Sequence, residues 1–199
     1  VVISLERTIC LGSCPDYSVE IRGDGRVTYH GKDYVMVTGD YGWKIPQSEV
    51  AGLVDLFLKA DYFNLEDDYV WDASDLPGYT TSLKIGSRQK SVYDYGGSQC
   101  DRKDSANPPC MPASITQIED AIDRISGAES LIVGDDKTIA LLKKVGFNFH
   151  SKRSADALLR ALVDRETGIA RGLVEEGAPL KGGGILSFPG LYPDVAPAI

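Results

Sequence analysis

The residues in this chain whose type and spacing bear most directly on chemistry are its four cysteines. Cys10 and Cys14 lie in Cys10-Leu11-Gly12-Ser13-Cys14-Pro15, with three residues between them, and Cys100 and Cys110 have nine residues between them. A dithiol redox centre of the thioredoxin type has two intervening residues at a helix start, where the thiolate is stabilised; here there are three, and Pro15 leads into a strand pattern. Four thiolates would also complete a tetrahedral zinc site, but these spacings depart from the usual short knuckles and neither pair has a neighbouring His. An even count in loop-like surroundings favours disulfides, either within the first loop or from it to Cys100 or Cys110, and hence an oxidising compartment.

Other chemistry-bearing groups are sparse. The chain has two histidines, His30 at a strand end and His150 after a helical stretch. Nothing in the sequence places either beside a nucleophile, so both read as surface residues. Glu66, Asp67, Asp68, Asp72 and Asp75 could offer oxygen ligands to calcium, yet they lack the Asp-x-Asp-x-Asp-Gly order that wraps one ion and read as a solvated loop. No pair of carboxylates stands out for glycoside hydrolysis. Gly182-Gly183-Gly184 precedes a Pro-rich tail rather than a helix, so it is no phosphate loop. The sequence therefore assigns no catalytic residue, no cofactor and no metal ligand.

The elements that position these residues can be read from period and punctuation. Val1-Val2-Ile3-Ser4-Leu5 reads as a strand. Tyr17, Val19 and Ile21 alternate with polar residues, Gly23-Asp24-Gly25 intervenes, and Val27 and Tyr29 resume the alternation, which predicts a β-hairpin. After Pro46, Val50, Leu53, Val54 and Phe57 follow the i, i+3, i+4, i+7 rule of an amphipathic helix. Residues 61–79 read as a surface connection with its aromatics turned inward. Two strands follow, Thr80 to Ile85 and Gln89 to Tyr95, around a Gly86-Ser87 turn. Residues 96–113 are too rich in Gly and Pro for regular structure. A second helix starts near Ser114, carries Ile115, Ile118, Ile122 and Ile125 on one face, and stops at Gly127.

Strands joined by hairpins and interleaved with two helices predict an α+β fold, an antiparallel sheet with two packed helices. A boundary falls at Gly127 to Gly134, and beyond it the pattern is helical only. Thr138 to Phe149 can be laid over Ile169 to Leu180 at an offset of 31, matching Leu142 with Leu173 and Gly146 with Gly177, and Ala155 to Leu162 supplies a helix between them. This helix pair ending in Gly resembles an ankyrin repeat, over about one and a half repeats and without the Thr-Pro-Leu-His signature. The predicted division is an α+β domain over 1–127, ankyrin-like helices over 128–181, and a Gly/Pro-rich tail over 182–199. The helical part is expected to fold only by docking, since about three such repeats are needed for independent stability.

Composition narrows the function classes. Of the 199 residues 43% are hydrophobic and 25% charged, enough apolar matter for one large or two small cores. Apolar runs are far shorter than the roughly 20 residues of a spanning helix, so no membrane span is expected. The whole net charge of −8 lies before Gly127, where 20 acids face 12 bases, against nine of each beyond it. An acidic domain without a Lys/Arg face repels phosphate backbones, which argues against nucleic acid as a partner. The chain begins at Val1 and shows no export signal, which suggests a removed leader or a trimmed sequence.

Taken together, Cys10-x-Gly12-x-Cys14-Pro15-x-Tyr17, then Ile21-x-Gly23-Asp24-Gly25-x-Val27-x-Tyr29-x-Gly31, the helix from Pro46, Asp75-x-Pro77 and Lys90-Ser91-Val92 resemble a bacterial family, domain of unknown function 6438, over roughly residues 2–126. The resemblance implies a domain of envelope-associated bacterial proteins with no catalytic residues to carry over. It also implies local disulfides, Cys10 with Cys14 and Cys100 with Cys110. The expectation that follows is a non-enzymatic binding or scaffolding protein, periplasmic or secreted, that meets another protein through its ankyrin-like segment and acidic domain. The alternative is a hydrolase-type enzyme built from scattered Asp, Glu and Tyr residues. A pocket holding converging acids of perturbed pKa would favour that alternative.

Overall fold

The structure, a computed structural model, describes residues 1–70, 73–97 and 111–180. Asp72, Cys100, Cys110, Gly182-Gly183-Gly184 and the tail fall outside them. Within the described residues the chain forms two compact units, Val1–Tyr34 with Asp40–Ala128, and Val35–Gly39 with the residues from Glu129 onward.

The first unit is an α+β fold. Its strands are β1 (Val2–Arg7), β2 (Asp16–Arg22), β3 (Arg26–Asp33), β4 (Gly39–Lys44), β5 (Asp68–Val70), β6 (Gly78–Ile85) and β7 (Arg88–Tyr95), in the sheet order β4-β3-β2-β1-β6-β7-β5. Neighbours among β1, β2, β3, β6 and β7 are antiparallel, while β5 runs parallel to β7. The β2–β3 hairpin turns at Gly25, whose φ of 83° only glycine adopts without strain, and a Cβ there would lie 2.2 Å from the Ile45 carbonyl oxygen. Period-2 alternation then sends Ile3, Leu5, Tyr17, Val19, Ile21, Val27, Tyr29, Leu83 and Val92 to one face, all at most 2% exposed.

Helices α1 (Gln47–Lys59) and α2 (Ala113–Ser126) supply the rest of this core. Val50, Leu53 and Phe57 of α1 and Ile115, Ile118 and Ile122 of α2 are buried, as their spacing predicts. A short turn at Tyr62–Asn64 follows α1, where Tyr62 packs edge-on against Phe57 at 4.6 Å and donates its hydroxyl hydrogen to the Thr81 carbonyl at 2.8 Å. The C-terminal end of α2 is tied to β4 by Trp43, whose indole N–H donates to the Ser126 carbonyl at 2.7 Å. β4 and β5 are strands where the sequence pattern shows none. β4 reads Gly-Asp-Tyr-Gly-Trp-Lys, whose alternation rests on only two aromatics, Tyr41 and Trp43, and β5 is three residues long inside the connection 61–79.

The second unit holds α3 (Glu129–Ile132), α4 (Thr138–Lys144), α5 (Lys152–Val163) and α6 (Thr167–Glu175). It takes in a piece of the N-terminal half. The Met36 and Val37 amides donate to the Ile132 and Leu131 carbonyls at 2.7 and 3.0 Å, and Val35, Met36 and Val37 are buried. α4 and α6 end alike: the Gly146 and Gly177 amides bond to the Lys143 and Val174 carbonyls, and the next amides, of Phe147 and Ala178, reach back to Leu142 and Leu173, both at 2.9 Å. Each is a Schellman ending, with its glycine at positive φ. The two recur 31 residues apart. Among the described residues no helix is long and apolar enough to cross a membrane.

Candidate functional site: a buried acid cluster and an open polar face

The inward parity of β1 does not stop at Leu5. Ile3 and Leu5 are followed by Arg7, which faces α2 from the last rung of the β1–β2 ladder, opposite Tyr17. In the same row of the sheet Arg7 pairs with Tyr79 of β6, and Tyr79 with Asp94 of β7. A continuous row Tyr17, Arg7, Tyr79, Asp94 therefore crosses four strands on the buried face. Opposing it, α2 carries Thr116, Glu119, Asp120 and Asp123, separated by the three- and four-residue steps that align side chains along one stripe of a helix.

These groups form one network. The Arg7 guanidinium donates to Asp123 Oδ2 at 2.9 Å, lies 3.6 Å from Asp120 Oδ1 and packs over the Tyr79 ring at 4.9 Å. Tyr17 donates its hydroxyl hydrogen to the same Asp123 oxygen at 2.6 Å. Glu119 and Asp94 are only 3% and 2% exposed. Glu119 Oε1, Asp94 Oδ2, Asp123 Oδ1, Thr116 Oγ1 and Arg7 Nε have no hydrogen-bond partner among the described residues.

One guanidinium set against three enclosed carboxylates is an unbalanced account, and the acids respond by holding protons. Burial pushes the Glu119 carboxyl up to about 8; Arg7 opposes this, while Asp94, Asp120 and Asp123 add to it. Burial raises Asp94 to about 6 against the pull of the Gly97 amide and Arg7. It also raises Asp123 to about 6 against Arg7 and Tyr17. The Tyr17 hydroxyl is driven well above the usual tyrosine range by burial and then by Asp123. Such shifts mark functional sites and structural networks alike, so access decides between them.

A surface depression of about 430 Å³ lies elsewhere, among Ser4, Glu6, Ser18, Glu20, Arg22, Thr28, His30 and Thr80. Ser4, Glu6, Ser18, Glu20, Arg22, Thr28 and His30 have the opposite strand parity to Ile3, Leu5, Tyr17, Val19, Ile21, Val27 and Tyr29, so the depression lies on the other face of the sheet. None of the clustered acids lines it. Its charges are internally matched: Arg22 holds Glu20 at 2.9 Å, and Lys32 holds Glu6 and Asp16 at 3.2 Å each.

His30, read from sequence as isolated from any nucleophile, is in fact directly opposite Ser18 in the β2–β3 register, with its Nδ1 on the Asp40 carboxylate. The order Ser, His, Asp is that of a hydrolytic triad. β2 is paired on both sides, so its ladder consumes the backbone N–H groups that would hold an oxyanion. The His30 and Asp40 side chains are 47% and 77% exposed, where water screens the pair.

Cys10 and Cys14 form a disulfide, with their Cα atoms 5.5 Å apart. His150 is exposed, its Nδ1 3.1 Å from the Gly177 carbonyl. Of the acid stretch, Asp67 pairs with Lys90, Asp68 lies in β5, and the Asp75 carbonyl accepts from the Leu11 amide at 3.1 Å. Among the described residues no three His, Cys, Asp or Glu side chains are arranged to hold a metal ion.

Compared with known families, residues 1–126 match the profile of a domain of unknown function (DUF6438). The chain belongs to this family. No curated protein matches it. The match ends at Ser126, the last residue of α2, so every member of the acid cluster lies within the DUF6438 domain. The sequence carried a signal for that cluster. Glu119 interrupts the isoleucine face of α2, four residues after Ile115 and three before Ile122, and Arg7 extends the apolar alternation of Ile3 and Leu5 with a charge.

Proposed function

We propose that this chain is a non-enzymatic binding or scaffolding protein of the bacterial envelope. The observation that carries the reading is the separation of its two polar constellations. The acids with perturbed protonation are enclosed between α2 and the sheet, while the accessible depression on the other face is lined by hydroxyls and paired charges, which recognise rather than react. The Cys10–Cys14 disulfide supports an oxidising location. The helix ending repeated at 31 residues supports the ankyrin-like reading of the second unit, whose helices would present a protein-recognition surface.

The test is chemical cross-linking of the full chain in envelope extract, comparing wild type with Ser18→Arg on the sheet face and Arg171→Glu on α6. A specific partner lost with either variant, both remaining folded, supports the proposal. If both variants leave the partner profile unchanged, the proposed surfaces are wrong.

One observation favours an enzyme instead, the Glu119 carboxyl held protonated near neutral pH as a general acid would be. Hydrolysis of ester, glycoside or phosphate substrates that disappears in Glu119→Gln, with the fold intact, would replace the binding reading.

A further inference from the structure

We propose that the Cys10–Cys14 disulfide is a reversible thiol–disulfide exchange site whose redox state sets how firmly α2 is clamped to the sheet. The geometry behind this is one of adjacency. The β1–β2 ladder ends at the rung Arg7–Tyr17, and both residues of that rung bond to Asp123 Oδ2 of α2. The loop bracketed by the rung, residues 8–15, contains the disulfide.

Beyond Thr8, the loop is held among the described residues chiefly by the disulfide and one backbone bond. Residues 8–15 form no helix or strand; among the described residues Thr8 is tied to Gly78 through its amide at 2.9 Å and its hydroxyl, which accepts from the Gly78 amide at 3.0 Å, and the Leu11 N–H donates to the Asp75 carbonyl at 3.1 Å. Leu11 is 81% exposed and Ile9 55%, and neither cysteine is fully buried, so a reductant can approach. A cross-link spanning so few residues acts through local geometry rather than through loop entropy, and its cysteines stand close in sequence to Arg7 on one side and Tyr17 on the other.

The exchange is balanced with a dithiol reductant. One of its thiolates attacks a sulfur of the Cys10–Cys14 bond, forming a mixed disulfide and releasing the other cysteine as a thiolate, which takes up a proton. The second thiol of the reductant then attacks the mixed disulfide. Cys10 and Cys14 end as two thiols, the reductant as its own disulfide, and two electrons have passed. With the loop freed, the backbone at Arg7 and Tyr17 gains latitude, and the two short bonds to Asp123 loosen together.

The experiment uses the full chain carrying Cys100→Ser and Cys110→Ser, so that Cys10 and Cys14 are its only thiols. Amide exchange by mass spectrometry is compared before and after reduction with dithiothreitol, with thiol titration confirming the state. Exchange over residues 113–126 is expected to speed up about tenfold on reduction while residues 47–59 of α1 hold their rate. Cys10→Ser/Cys14→Ser should reproduce the reduced pattern. In Asp123→Asn, α2 should already exchange faster, and reduction should add nothing. Unchanged α2 exchange in a fully reduced chain overturns the proposal, as does an equal acceleration of α1 and α2, or a disulfide that dithiothreitol cannot open without unfolding the protein.

Discussion

Tyr17 and Asp123, 106 residues apart in sequence, are joined by a 2.6 Å hydrogen bond from the Tyr17 hydroxyl to Asp123 Oδ2. Arg7 bonds to the same oxygen, so a single carboxylate atom on α2 is held by two adjacent strands. Tyr17→Phe removes one of these bonds without touching the ring packing. It should lower stability by about 1.5–3 kcal/mol, the range for a bond to a charged partner, as read by urea unfolding. A loss below ~0.5 kcal/mol would mean that Arg7 alone secures Asp123.

Glu119 should make this protein less stable as pH rises. Its ordinary value is 4.5 and its folded value about 8. Below pH 4.5 both states carry the proton and the ionisation of Glu119 adds no cost. Between these values the unfolded chain releases the proton and the folded chain keeps it, so stability falls with pH and levels off above 8. Asp94 and Asp123, raised to about 6, act in the same direction over a lower window. Denaturant midpoints should therefore drop from pH 5 to pH 8.5. Glu119→Gln should flatten the upper part of that fall, and a midpoint that rises with pH would contradict the burial argument.

Arg7→Met tests the same cluster from its cationic side. Removing one partner of a buried ion pair leaves charge uncompensated, at about 3–5 kcal/mol. The cost should be near that range at pH 8, where Asp94 and Asp123 are mostly ionised, and clearly smaller at pH 5, where all three acids are mostly protonated. Equal losses at both pH values would assign the effect to packing over Tyr79 instead.

Glycines in helical settings should respond in opposite directions. Gly177 has φ of 93°, and a Cβ there would sit 2.4 Å from the His150 ring, so Gly177→Ala should destabilise by more than 1 kcal/mol. Gly52 lies inside α1 with open space around it, so Gly52→Ala should stabilise by about 0.5–1 kcal/mol. Melting temperatures of the two variants measure both.

Residues 129–199 expressed alone should show weak, non-cooperative helicity by circular dichroism. Val35, Met36 and Val37, buried in this unit and bonded to Leu131 and Ile132, would be missing from it. A cooperative transition in that fragment would show that the four helices suffice.

Much of the fold was legible because local rules agreed with the tertiary outcome. The β2–β3 hairpin followed from alternation around Asp24-Gly25, and α1 and α2 from their apolar spacing. β4 was not legible, because this edge strand turns only Tyr41 and Trp43 inward, beside two glycines that break up the pattern. β5 is three residues long, too short for a period to show.

The sequence by itself determined the α+β class, the two core helices, the acidic balance and the paired helix endings at Gly146 and Gly177, because periodicity, turn residues and charge are properties of neighbours along the chain. Only the tertiary structure decided that Arg7, Asp94, Glu119 and Asp123 share one enclosed space. It also decided that Asp40 and Ser18 flank His30 on the open face, and that Val35–Gly39 belongs with the helices. Those relations join residues from 10 to more than 100 positions apart. A strand's parity says that a side chain points inward, but which helix it meets there is fixed only when the sheet and helices pack.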